Sequence, residues 1–225
     1  MPLLGPAALL LSFDVSTDAI REHDDWHTHE HLPERLSIPG FLRGTRWVAI
    51  GDGPRYMVLY EVQSLSTLTS DAYLDRLDNP TPWTSKIMPH YRGMNRGLCS
   101  VLGSFGFGSG HFSALIRFRA TDRGELHAWL LEEALPSMAA RPGLGSAHLL
   151  DAATAAAMTS EQRLRGADGA VSSAVLITGY DRAAIEDVGR TSLAASAFSP
   201  RGAQDFSFAT YRMDYSLAAA ELGRR

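Results

Sequence analysis

Apolar residues along this chain gather into short dense runs, and between the runs they recur every third or fourth position. The first pattern predicts strands and the second amphipathic helices. Residues 7–15 form the first dense run and read as a strand. Ser16, Thr17 and Asp18 then offer capping side chains ahead of a polar helical stretch that reaches about Ile38 and is stopped by Pro39-Gly40. Residues 41–50 and 55–62, rich in aromatic and β-branched side chains, flank Gly51-Asp52-Gly53-Pro54 and predict a hairpin. A helix over about residues 65–77, a break at Asn79-Pro80-Thr81-Pro82, a connector holding Trp83, His90 and Tyr91, and a strand at 95–105 complete a βαββαβ unit.

The same order then returns. Gly106 to Gly110, with glycine at three of five positions, is the seam, placing a first repeat at 1–106 and a second at 107–225. A strand at 112–120, a helix at 122–140, a stop at Pro142-Gly143 and a strand at 144–151 follow. Shifting the sequence by 103 lays Glu22, Trp26, Glu30, Leu32, Pro33, Pro39 and Gly40 onto Glu125, Trp129, Glu133, Leu135, Pro136, Pro142 and Gly143. One offset holding a tryptophan and a Pro-Gly pair in register marks an internal duplication. Further on, Ala174-Val175-Leu176 matches Met57-Val58-Leu59 at an offset of 117, so the second copy carries 14 extra residues, read as an inserted loop at about 152–169 with one short helix. A helix near 183–197 and a strand near 206–215 close the copy. The predicted fold is α+β: two tandem ferredoxin-like repeats whose sheets pack face to face as an α+β barrel within one chain, since neither sheet covers both of its faces alone.

Composition narrows the partners. A net charge of -4 without any Lys/Arg-rich run argues against nucleic acid or an anionic membrane surface, leaving a small-molecule ligand as the expected partner. Cys99 is the only cysteine, which excludes an intrachain disulfide and a cysteine-based zinc site and fits a reducing compartment. Residues 2–13 are apolar but lack a basic leader, and no segment has the length of a membrane helix, so the expectation is a soluble cytoplasmic protein. Any homodimer would associate through outer surfaces or exposed edge strands.

Candidate chemistry comes from the difference between the copies: His23, His27 and His31 fall on Leu126, Leu130 and Ala134. On a regular helix Ile20, Asp24, His27, Thr28, His31, Leu32 and Arg35 share one face, with His23 at its edge. This face predicts a cleft in which His31 and His27 transfer protons, Arg35 holds an anionic oxygen, Trp47 and Tyr60 form walls and His23 contacts the substrate. Against it stands a structural His31 bonded to Glu61 or to a backbone carbonyl. His27 and His31, four apart, could also chelate a metal, but a metalloprotease motif needs Glu at position 28 where Thr28 stands, and no metal is assigned. Glu30 and Trp26, matched in both copies, read as scaffold, with Glu30 expected to pair with Arg35 or Arg46. No nucleotide fingerprint, phosphate loop or Ser-His-Asp pattern implies a cofactor.

The segment Trp26-His27-Thr28-His29-Glu30-His31-Leu32-Pro33-Glu34-Arg35 with Ile38-Pro39-Gly40-Phe41 resembles the first-helix signature of an EthD-related bacterial group in the dimeric α+β barrel superfamily. Tyr56-Met57-Val58-Leu59-Tyr60-Glu61 and Pro80-Thr81-Pro82-Trp83-Thr84 are similar to it as well. The resemblance implies a cleft between sheet and first helix. It names no substrate, because the superfamily includes cofactor-independent monooxygenases, lactone isomerases, haem-dependent enzymes and proteins without a known reaction. The leading expectation is a small-molecule enzyme working by cofactor-free oxygenation or isomerase-like proton transfer on an aromatic or carbonyl metabolite. A non-catalytic ligand-binding or stress-response protein and a histidine-based metal-binding protein are the alternatives.

Overall fold

The computed structural model describes residues 3–120, 123–153, 159–166, 169–170 and 172–223. The first repeat comprises β1 (Ala7–Val15), α1 (Ile20–Trp26), a π-turn (His27–His31), α2 (Leu32–Leu36), β2 (Phe41–Ala49), β3 (Tyr56–Val62), α3 (Asp71–Asp78), α4 (Pro82–Ile87) and β4 (Tyr91–Gly106). The second comprises β5 (Phe112–Ala120), α5 (Arg123–Trp129), a π-turn (Leu130–Ala134), α6 (Leu135–Ala140), β6 (Leu144–Ala152), the inserted α7 (Ser160–Arg165) and β7 (Gly169–Ala170), β8 (Ser173–Gly179), α8 (Arg182–Val188), α9 (Ala195–Phe198), β9 (Ala203–Ala218) and α10 (Ala219–Leu222). Residues 154–158 and 167–168 of the expected loop lie outside the described residues.

Eight antiparallel strands close on themselves in the order β1-β3-β2-β9-β5-β8-β6-β4, with β4 returning to β1. Two strands make the closure. β4 pairs with β1 through its first part and with β6 through Cys99–Gly106, while β9 pairs with β5 first and then with β2 through Tyr211–Ala218. Each therefore spans both sheets, which is why each is 16 residues long where sequence alone predicts an ordinary strand. The eight strands of the closed ring leave no open edge between the two sheets for another chain to extend.

Every residue of β3 and β8 is buried, because both faces are covered. Side chains alternate across a strand. Tyr56, Val58, Tyr60 and Val62 pack outward under the helices of the first repeat, while Met57 and Leu59 face the barrel interior with Leu10, Leu115, Leu176 and Tyr211. Helices on the second sheet cover an equivalent outer core around Leu126, Leu130, Val175 and Ile177.

Both first helices break from α into π geometry at equivalent places, and both breaks stand just ahead of a Leu-Pro pair. Pro33 and Pro136 have no N–H for the helix ladder, and their rings crowd the carbonyls four residues back, at His29 and Glu132. The wider turn relieves that conflict. The expected connector at 79–90 contains α4, capped by Thr81, whose side chain accepts from the Thr84 N–H at 3.0 Å. The single helix expected at 183–197 is split into α8 and α9.

Candidate active site

The π-turn sets which side chains of the first helix point inward. An inserted residue rotates everything ahead of it relative to a regular helix, so His23 and Trp26 are fully buried while Ile20, Asp24 and Thr28 are only half-buried. His27, His31, Leu32 and Arg35 face inward as their spacing predicts.

Beneath them lies a small, partly open cavity. Its volume is about 30 Å³, room for about two waters. The first sheet supplies Leu9, Phe13, Tyr60 and Tyr91, α3 supplies Tyr73, and the inserted segment of the second repeat supplies Thr159, Glu161 and Arg165.

His31 makes no hydrogen bond to another described residue, and its ring centre lies 4.3 Å from Trp26 and 5.7 Å from His27. The expected partner Glu61 is occupied elsewhere, accepting from Arg43 Nε and from the Leu4 N–H, both at 2.6 Å. His27 Nε2 is 3.4 Å from the Tyr60 hydroxyl, and its Nδ1 is buried without a partner. Burial first, then nearby positive groups, holds both imidazoles well below the ordinary histidine pKa, so both are neutral at neutral pH. Burial likewise pushes the Tyr60 and Tyr91 phenols up.

Arg35 is not a free cation. Its guanidinium pairs with the buried Glu161 carboxylate and lies 3.4 Å from Glu34, with its carbon 5.9 Å from the Tyr73 ring centre. Burial opposes its charge, but Glu161, Tyr73 and Glu34 together outweigh burial and keep it protonated. An anion partner already carrying an internal carboxylate differs from the open one expected from sequence.

His23 stands behind the cavity wall, between Asp24 Oδ1 at 3.1 Å and the Tyr91 hydroxyl at 3.2 Å. Trp47 is not a wall of this cavity. It pairs in register with Met57, and cross-strand partners share a face, so Trp47 points into the barrel while Tyr60, three residues from Met57, points to the helices. Glu30 binds neither Arg35 nor Arg46; it accepts from Trp26 Nε1 at 3.1 Å and Thr81 Oγ1 at 2.5 Å, tying the first helix to α4. Arg46 instead reaches Asp214 on β9 at 2.7 Å. Among the described residues no three His, Cys, Asp or Glu side chains converge as a metal-ligand set.

Sequence reasoning missed Glu161, Tyr73 and Arg96 as cavity residues. For Glu161 the only signal was the shift in repeat offset, which reveals an insertion but not that it folds back over the other copy.

The fold is two ferredoxin-like βαββαβ units closed into one eight-stranded antiparallel barrel within a single chain. No family model matches the sequence, and neither does any curated protein. Among solved structures the chain is similar to an anthrone oxidase-like protein, with a TM-score of 0.70 and 12% identity over 99% of this chain and 97% of that one. It is similar to a monooxygenase candidate from Fusobacterium nucleatum (TM-score 0.61, 8% identity, 96% of each chain) and to another from Lactobacillus acidophilus (0.60, 11%, 96% and 97%). Identities this low establish shared architecture. No helix among the described residues is long and apolar enough to cross a membrane.

Proposed function

We propose that this chain is a small-molecule enzyme that moves a proton on an aromatic or carbonyl-bearing metabolite, in cofactor-free oxygenation or isomerisation, with His31 as the group that meets the substrate proton. One observation carries this reading: a buried, neutral imidazole without a hydrogen bond to any other described residue, facing a small cavity walled by Tyr60, Tyr73 and Tyr91. Leaving a buried imidazole unbonded costs about 1–3 kcal/mol, and a substrate that bonds it recovers that cost. The second repeat has Ala134 at the matching position and a plain core stripe around it. His27, held by Tyr60, is the supporting proton-transfer group, and Arg35 with Glu161 is a fixed ion pair beside the reacting centre. A ring-sized substrate is larger than this space, so its binding requires the cavity walls to move apart.

The fold-level likeness to an anthrone oxidase-like protein and to monooxygenase candidates supports the oxygenation branch. Kinship with the EthD-related group, carried by the Trp26 to Arg35 segment, belongs to the same proposal, as do a cytoplasmic setting and pairing of two copies through outer surfaces. The test is oxygen uptake and product formation with hydroxylated anthrones and enolisable lactones. His31→Ala is expected to lower turnover by about 10²–10⁴-fold; unchanged turnover removes His31 from the chemistry.

A further inference from the structure

Asp24, His23 and Tyr91 form a continuous hydrogen-bonded chain that ends at the cavity. Asp24 Oδ1 is 3.1 Å from His23 Nδ1, and His23 Nε2 is 3.2 Å from the Tyr91 hydroxyl. The Tyr56 hydroxyl donates to the same Asp24 oxygen at 2.7 Å. Burial alone would raise the Asp24 pKa, but these bonds outweigh it and keep the carboxyl ionised. An ionised carboxylate only accepts, so His23 Nδ1 carries the proton. His23 Nε2 is then the acceptor, and Tyr91 donates to it. The phenol oxygen of Tyr91, whose ring lines the cavity, keeps its lone pairs for a second donor.

The geometry points to Tyr91 as a proton-transfer residue, with His23 and Asp24 positioning it, and to a ligand that presents an aromatic hydroxyl to it. This rests on the proton-transfer reading of the same cavity and adds a second group to it. The ligand's O–H proton passes to Tyr91 Oη while the Tyr91 proton passes to His23 Nε2. The electron pair stays on the ligand as phenolate, and the charge deposited on the protein is an imidazolium beside the Asp24 carboxylate. Burial lowers the His23 pKa, but the Asp24 bond and charge oppose that shift, whereas at His31 burial is joined by the positive charge of Arg35. Around His23 the other titratable or charged neighbours are Tyr56, His27, Arg46 and Arg55. Asp24, partly exposed, gives the proton a route to solvent.

The duplication supplies an internal control. The shift of 103 places Leu126 and His127 on His23 and Asp24. The last ladder pairs, Val15 with Tyr91 and Ala120 with Ala203, place alanine on Tyr91. All three members of the chain are absent together from the repeat whose first helix covers plain core.

Para-nitrophenol tests this, because its phenolate is coloured and its phenol is not. Binding is followed by quenching of tryptophan fluorescence, and ionisation by the phenolate band, at about one pH unit below the probe's own pKa. Wild type is expected to bind the probe as phenolate. Tyr91→Phe and His23→Gln are expected to bind it as phenol, with the band reduced about tenfold or more. Persistence of the band in a folded Tyr91→Phe or His23→Gln, or a neutral bound probe in wild type, overturns the proposal. Loss of the band only in His31→Ala assigns the proton to His31, overturning this inference and leaving the proposed function standing. Absence of any binding by wild type removes both. Near-ultraviolet circular dichroism establishes folding, and His23→Gln, which keeps hydrogen-bonding capacity, serves should Tyr91→Phe fail to fold.

Discussion

Arg35 of the first repeat and Glu161 of the second meet as an ion pair in which each residue is 2% exposed. The histidines belong to the first repeat alone, but the cavity they face is closed by the other. That contact bridges 126 positions of sequence and joins the inserted segment to the helix that carries the candidate chemistry.

Glu161→Ala strands the Arg35 cation in a buried site. Breaking a buried pair on one side costs about 3–5 kcal/mol, and the lower end applies here because Glu34 remains beside Arg35. Urea unfolding is expected to show a loss of about 3 kcal/mol. The double variant Arg35→Met/Glu161→Leu is expected to lose less than the two single changes added together, since no buried charge is left. Additive losses would mean that the two side chains are not energetically coupled.

Stability is expected to fall on mild acidification. Burial and nearby positive groups hold His27 and His31 well below the ordinary range, and burial pushes His148, bonded between Ser104 and Ser146, down to about 3. In the unfolded chain these groups titrate near about 6.5. Above that pH they are neutral in both states and contribute no pH dependence. Below it the unfolded chain takes up protons that the folded chain refuses. Each histidine then removes up to about 1.4 kcal/mol per pH unit until its folded pKa is reached. Urea midpoints measured from about pH 7 to about 5 should decline, and His148→Gln should flatten the decline. A flat profile in wild type would show that these imidazoles are not buried neutral.

Sequence carried the fold further than the site. The repeat offset and the Pro-Gly stops are local signals, and they place the strands and helices in an order that only a few topologies accommodate. Closure of the barrel was not legible, because the second halves of β4 and β9 look like ordinary strand whichever sheet they join. The helix face was legible at His27, His31, Leu32 and Arg35 but not at His23 and Trp26, since a regular period does not anticipate the π-turn ahead of Pro33. Glu161 was out of reach for a different reason: a polar residue in an insertion shows nothing of what it will fold against.

The two Pro-Gly stops make a matched pair of tests. Gly40 and Gly143 hold left-handed backbone, with φ of 93° and 85°. A Cβ would come within 2.7 Å of Thr67 Oγ1 at the first and 2.6 Å of Ala184 Cβ at the second. Alanine at either is expected to cost about 1–3 kcal/mol in thermal or urea unfolding. Gly93, with φ of 59° and nothing within 4 Å of a Cβ, isolates the backbone share and should lie at the bottom of that range. Equal losses at all three sites would show that contact with Thr67 and Ala184 contributes nothing.

Trp47 and Tyr60 sit on one hairpin and were expected to wall one cleft, and their separation by strand geometry can be measured. Trp47 is 2% exposed inside the barrel, and its Nε1 is buried without a partner. Trp47→Phe removes that unsatisfied donor, which costs the native state about 1–3 kcal/mol, while leaving a smaller ring in a packed interior at a cost of similar size. The two terms oppose, so the net change in stability is expected to stay within about 1.5 kcal/mol. Para-nitrophenol affinity should not change, because the indole and the cavity lie on opposite faces of the sheet. Tyr60→Phe is the counterpart: it deletes the hydroxyl 3.4 Å from His27 Nε2 and should alter probe affinity without disturbing the barrel interior. Weakened binding in Trp47→Phe, with Tyr60→Phe unchanged, would put the binding site inside the barrel instead of beneath the first helix.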